Sequence, residues 1–197
     1  MDGKLSELID SYNGCGMKAE YEGTKTFEDA ASCHYWNRRG RCVMRGHQHM
    51  QRFSNKRLYG FAELLTQRQE ALEACTNYED LKYIVDETKK QNEYRGIGPV
   101  TRYDIATAIG YLQKPKVLPE KYVYLHAGVR RGYDALVALN LLPKCKGDVA
   151  PIEYFNFLSD LKDDRFKEYV PIGATYAMIV EDFLCVKHEE LEKLAAK

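Results

Sequence analysis

Between Tyr94 and Gly110 the chain reads Tyr-Arg-Gly-Ile-Gly-Pro-Val-Thr-Arg-Tyr-Asp-Ile-Ala-Thr-Ala-Ile-Gly, and no other stretch limits the fold so tightly. Upstream, Leu81, Ile84, Val85 and Thr88 keep helical spacing, which predicts a helix from about Tyr78 to Gln91. Downstream, Val100, Ile105, Ala106 and Ile109 predict a second amphipathic helix. Gly96 and Gly98 lie between the two. Paired glycines suit positive φ and let a backbone come close to another molecule. Pro99 fits the first helical turn, where its missing N–H costs nothing. The amides of Ile97, Gly98, Val100 and Thr101 then sit at a helix N-terminus. Such an end offers free N–H groups and the positive pole of the helix dipole, which suit a phosphate.

The rest of the chain extends the helical pattern. A short helix is expected over residues 4–11, then a glycine-bearing loop to residue 25. Thr26-Phe-Glu-Asp caps a helix expected to run to about Asn37, carrying the only tryptophan, Trp36. An Arg- and Gly-rich loop over 39–47 precedes a long helix from about Ser54 to Cys75. Thr76-Asn-Tyr-Glu79 reads as a capping box for the first hairpin helix. Beyond Gly110 a connection marked by Pro115 leads to a helical stretch from Pro119, which Gly128 is expected to break. Pro151 opens another helix to about Leu161, and the last two helices span about 173–186 and 188 to the end. No strand pattern persists, so the chain reads as all-α. A length of 197 residues suits one domain, or two small lobes sharing a cleft.

Hydrophobic residues at 45% and charged residues at 29% describe a soluble globular chain, with no apolar run approaching the ~18 residues that cross a membrane. Six cysteines without framework spacing read as reduced thiols, and the polar, acidic start is no secretory signal. An intracellular setting is therefore expected, cytoplasm or nucleus. The net charge is zero, but its distribution is uneven. Ala30 to Ala62 holds seven Arg or Lys, among them Arg38, Arg39, Arg41 and Arg45, and no acid. Gln113 to Gly147 holds seven more, including Arg130 and Arg131, against Glu120 and Asp134. Such blocks suggest one basic face, unless folding turns the charges in different directions.

The segment 78–112 resembles the helix-hairpin-helix motif of DNA-binding proteins, in the Gly-hydrophobic-Gly form followed by Thr that DNA glycosylases carry. The resemblance implies an all-α, two-lobed fold that grips duplex DNA. It assigns phosphate contact to Arg95, Gly96, Ile97, Gly98, Val100, Thr101 and Arg102, with a monovalent cation possible at the hairpin. The Arg-rich segment and Arg130-Arg131 would extend that contact. In the family a Lys two residues after the second hairpin glycine is the nucleophile, and an Asp further on stabilises the cationic sugar. Here the first position is Val100 and the second falls near Tyr124, so neither carries over. Asp104, Asp134 and His126 are the remaining catalytic candidates.

Cys33, Cys42, His47 and His49 form a second constellation. Together they could hold zinc tetrahedrally, or they are reduced core thiols and histidines of a basic loop; the spacing matches no standard finger. Otherwise no cofactor is expected. The expected function is sequence-independent binding to the DNA backbone. The alternatives are a glycosylase-like enzyme with a displaced carboxylate, and an interaction module whose hairpin packs only against its own chain.

Overall fold

Apolar periodicity and local caps set most of the elements. The computed structural model describes residues 3–12, 24–32, 34–36, 42–44, 55–90, 97–162 and 174–196, with the backbone alone at 34–36, 42–44, 55–57, 90 and 162. Over these residues the chain is predominantly helical, as expected, and it forms two compact units. One unit is Ala19–Leu118, and the other joins Met1–Lys18 to Pro119–Lys197.

In the central unit, α1 (Phe27–Ser32) begins at Thr26. The Thr26 hydroxyl accepts from the Asp29 amide (3.1 Å), and the Asp29 carboxylate accepts from the Thr26 amide (3.0 Å). This reciprocal cap is the one the sequence announces. The helix stops at Ser32, short of Asn37, because a strand follows. β1 (His34–Trp36) pairs antiparallel with β2 (Cys42–Met44), Trp36 opposite Cys42. Aromatic and β-branched residues suit that pleated ribbon. The expected long helix is two pieces, α2 (Asn55–Thr66) and α3 (Gln69–Glu73). They part at Arg68, whose φ of −114° and ψ of 13° leave helical geometry. Its guanidinium instead reaches the Ile84 carbonyl and the Thr88 hydroxyl.

The hairpin helices follow as α4 (Tyr78–Lys90) and α5 (Pro99–Leu112). Asn77, not Thr76, caps α4. Its Oδ1 accepts from the Asp80 amide (2.9 Å) and its Nδ2 donates to the Asp80 carboxylate (2.6 Å). Leu58, Phe61 and Leu65 of α2, Leu81 and Val85 of α4, and Ile105 and Ile109 of α5 form the core of this unit, all at most 1% exposed. Tyr78 ties the pair together: its hydroxyl donates to the Tyr103 carbonyl (3.2 Å) and bonds the Thr107 hydroxyl (2.9 Å). α5 continues past Gly110 to Leu112, and the Val117 amide then returns to the Gly110 carbonyl at 2.9 Å.

In the other unit, α6 (Gly3–Asp10) is first in sequence, and the later elements are β3 (Tyr122–Tyr124), α7 (Ala127–Ala138), β4 (Val149–Pro151), a 3-10 helix over Ile152–Lys162, α8 (Tyr176–Val186) and α9 (His188–Ala195). Two expectations fail here. Pro119 opens extended chain rather than a helix, and Tyr122–Tyr124 pairs with Val149–Pro151, Val123 opposite Ala150. Pro151 ends a strand, and the helix expected from it to about Leu161 follows at once as the 3-10 stretch Ile152–Lys162, kinked at Leu158. Gly128 does not break the helix, which runs through both Gly128 and Gly132. An added Cβ on Gly132 would lie 2.6 Å from the Leu184 carbonyl oxygen, so this glycine lets α7 approach α8 closely. Val129, Tyr133 and Leu136 meet Phe155, Phe183 and Leu191 in the core. Thr175 caps α8, accepting from the Met178 amide. Tyr12 donates to the buried Asp182 carboxylate and sets its ring edge-on to Phe183.

Candidate nucleic-acid interface

Gly98 is the N-cap of α5 and Pro99 its first residue, as the pattern predicts. The expected positive φ does not hold at Gly98, which is extended at φ −76° and ψ 175°. Its glycine character serves access: an added Cβ would meet nothing among the described residues within 4 Å. Ile97, just before the cap, is fully buried at 0% exposure. The Ile97 carbonyl accepts from Arg102 Nη1 at 2.7 Å. In a trans peptide the carbonyl and the following N–H point opposite ways, so the Gly98 N–H faces away from that guanidinium. The N–H groups of Gly98, Val100 and Thr101 find no acceptor among the described residues. No side chain among them caps the helix. Three main-chain donors thus share one helix end.

Arg102 is not offered to solvent. Its side chain is 13% exposed; Nε donates to Asp86 Oδ1, and Asp86 Oδ2 accepts from Lys82 Nζ at 2.7 Å. Burial pushes the Asp86 carboxyl up, but the hydrogen bonds and charges of Lys82 and Arg102 outweigh it and hold it below its ordinary value. Arg102 therefore shapes the hairpin rather than reaching outward. The Thr101 side chain is also buried, leaving only its amide at the helix end.

The triad makes a pH prediction. Asp86→Asn should cost about 1–2 kcal/mol at neutral pH, allowing for the part of Asp86 that solvent screens. Because the folded-state value is depressed, this contribution is fully present above the unfolded value of about 3.9. It fades as pH falls through the folded value. Urea melts of the two proteins should differ by a constant amount above about pH 5 and converge in stronger acid. A gap that widens in acid would refute this account of the triad.

The other sequence candidates scatter. Arg130 bonds the Cys145 and Gly147 carbonyls and lies 3.8 Å from Asp148. Arg131 pairs with Glu192 and donates to His188 Nε2 at 2.9 Å. Since Arg only donates, His188 must carry its proton on Nδ1 and give it to the Cys185 carbonyl, 2.7 Å away. Both arginines thus serve the terminal unit's own packing. Asp104, half-buried on α5, belongs to the central unit; Asp134, exposed on α7, and His126, the α7 N-cap, belong to the other. His126 Nε2 lies 3.4 Å from Glu181 Oε1, with both side chains at most 10% exposed. The two family catalytic positions hold Val100, in the first turn of α5, and Tyr124, in β3. Arg38, Arg39, Arg41, Arg45, Arg95 and Gly96 lie outside the described residues, as do Cys33, His47, His49 and the Cys42 side chain. Among the described residues no group of three His, Cys, Asp or Glu could hold a metal ion, and no helix is long and apolar enough to cross a membrane.

Sequence reasoning passed over Asp86, Lys82, Glu181 and Asp182. Each had a signal: Lys82 and Asp86 stand four apart on one helix, and Glu181-Asp182 interrupts an otherwise apolar run. Comparisons with protein-family models, with curated proteins and with solved structures each return no match.

Proposed function

We propose that this chain binds the backbone of duplex DNA through the N-terminus of α5, without reading base sequence. The observation that carries this reading is the Gly98-capped helix end, where three amides without acceptors among the described residues adjoin a glycine that no described residue covers. Main-chain donors and a helix dipole suit a phosphate oxygen, and phosphate contact carries no base information. The resemblance of residues 78–112 to the helix-hairpin-helix motif supports the same reading.

The test is fluorescence anisotropy of labelled duplexes of unrelated sequence, titrated at several salt concentrations. Duplexes of different sequence should bind within a few-fold of one another. Affinity should fall about tenfold between about 50 and 200 mM salt for each two phosphates neutralised by cationic side chains. No binding at low salt, or binding to one sequence alone, would overturn the proposal. Base release from duplexes carrying uracil, alkylated or oxidised bases would convert it into the enzymatic reading.

A further inference from the structure

At the end of α5 remote from Gly98, the central unit encloses a cleft of about 730 Å³. That lies within the roughly 300–1,000 Å³ of small-molecule sites. Phe27, Ile109, Leu112 and Val117 make its apolar wall, with Ile109 and Val117 at most 5% exposed. Two cations, Lys25 and Lys114, stand at the cleft on exposed residues. Neither forms an ion pair with any carboxylate of the described residues. Glu73 is the acid of this cleft, and its Oε1 already accepts from Gln69 Nε2 at 2.6 Å.

Cys75 adds no second anion. Burial and the charge of Asp80 push its thiol up, and Sγ–H donates to the Ala71 carbonyl. A protonated thiol in such a wall acts as an apolar surface. Among its described lining residues the cleft therefore combines a desolvated apolar side with an excess of one positive charge. Cations that no carboxylate of the described residues pairs, beside an apolar wall, favour a ligand whose own charge is negative and whose body is apolar.

We propose that this cleft binds a small apolar carboxylate, its ring or chain on the Phe27–Val117 wall and its carboxylate held by Lys25 and Lys114. The inference is independent of DNA binding. The full-length protein would be titrated with 2-naphthoate and with decanoate, and with 2-naphthalenemethanol as the uncharged control, by amide shifts in ¹H–¹⁵N spectra. The carboxylates should shift the amides around Cys75–Thr76 and Gln113–Val117, and the alcohol should bind at least tenfold more weakly. Lys25→Met and Lys114→Met replace exposed side chains and should each weaken 2-naphthoate several-fold while leaving the remaining spectrum unchanged. A different result would overturn the proposal: no saturable shift with either carboxylate, equal binding of the alcohol, or binding indifferent to both lysine variants.

Discussion

Gly98→Glu should remove at least nine-tenths of the duplex affinity, and it should do so in a protein as stable as the wild type. The two halves of that expectation have separate grounds. At φ −76° the backbone of Gly98 accepts any L residue, and a Cβ there meets nothing among the described residues. Glycine is only a modest N-cap, while a carboxylate at a helix N-terminus gains about 0.3–1 kcal/mol from the dipole. Folding should therefore change little, in either direction. Binding is another matter. The new carboxylate would occupy the position proposed for a phosphate oxygen and compete for the same three amides. Repulsion between two charges about 4 Å apart near a protein surface reaches roughly 4 kcal/mol before screening, and a tenfold loss needs only about 1.4. Gly98→Ala is the graded control, adding bulk without charge. Anisotropy titrations beside urea melts would read both halves. A Glu variant that folds normally and binds like the wild type would remove α5 as the anchor.

The hairpin helices were legible because their information is local. Apolar spacing in α4, Pro99 at the first position of α5 and Gly98 before it are contained within a few turns of chain. What the sequence reading missed depends on distant partners. The two ribbons are three residues per strand, too short for an alternating pattern to stand out. Arg102 looks like a phosphate ligand when counted beside Arg95. It is an internal clamp because Asp86 sits across the hairpin from it, a fact of tertiary placement. Arg130 and Arg131 read as a basic pair for the same reason, and Glu192, 61 residues on from Arg131, absorbs one of them. The cleft below Ile109 was equally hidden, since its walls come from three separated segments. Charge counts locate cations in sequence but do not say which of them fold against an acid.

Gly110→Ala should lower the stability of the central unit by about 2–4 kcal/mol, against the usual sign for such a change. In an exposed helix interior, replacing glycine by alanine gains up to about 1 kcal/mol. Position 110 inverts that because an added Cβ would lie 1.8 Å from the Val117 carbonyl oxygen and 3.0 Å from its carbon. Backbone, unlike a flexible side chain tip, cannot step aside alone. The Val117 return would have to move, giving up its 2.9 Å bond to the Gly110 carbonyl and exposing Val117 and Leu118, now 5% and 6% exposed. Overpacking in a filled interior costs about 1–3 kcal/mol, and the lost bond and burial add to it. Native-state hydrogen exchange would localise the loss, with amides of α4 and α5 deprotected and those of α7 and α8 unchanged. Gly132→Ala, facing the Leu184 carbonyl at 2.6 Å, should produce the converse pattern. An alanine at 110 that leaves the melt unmoved would mean that the close return is not held as described. A glycine inside an apolar helical run reads most simply as a helix end, as it did here at 110 and 128. At 110 and 132 it is the gap through which another backbone passes, and at 98 it leaves the helix end open. Spacing along the chain does not distinguish those uses; the neighbouring carbonyl oxygens do.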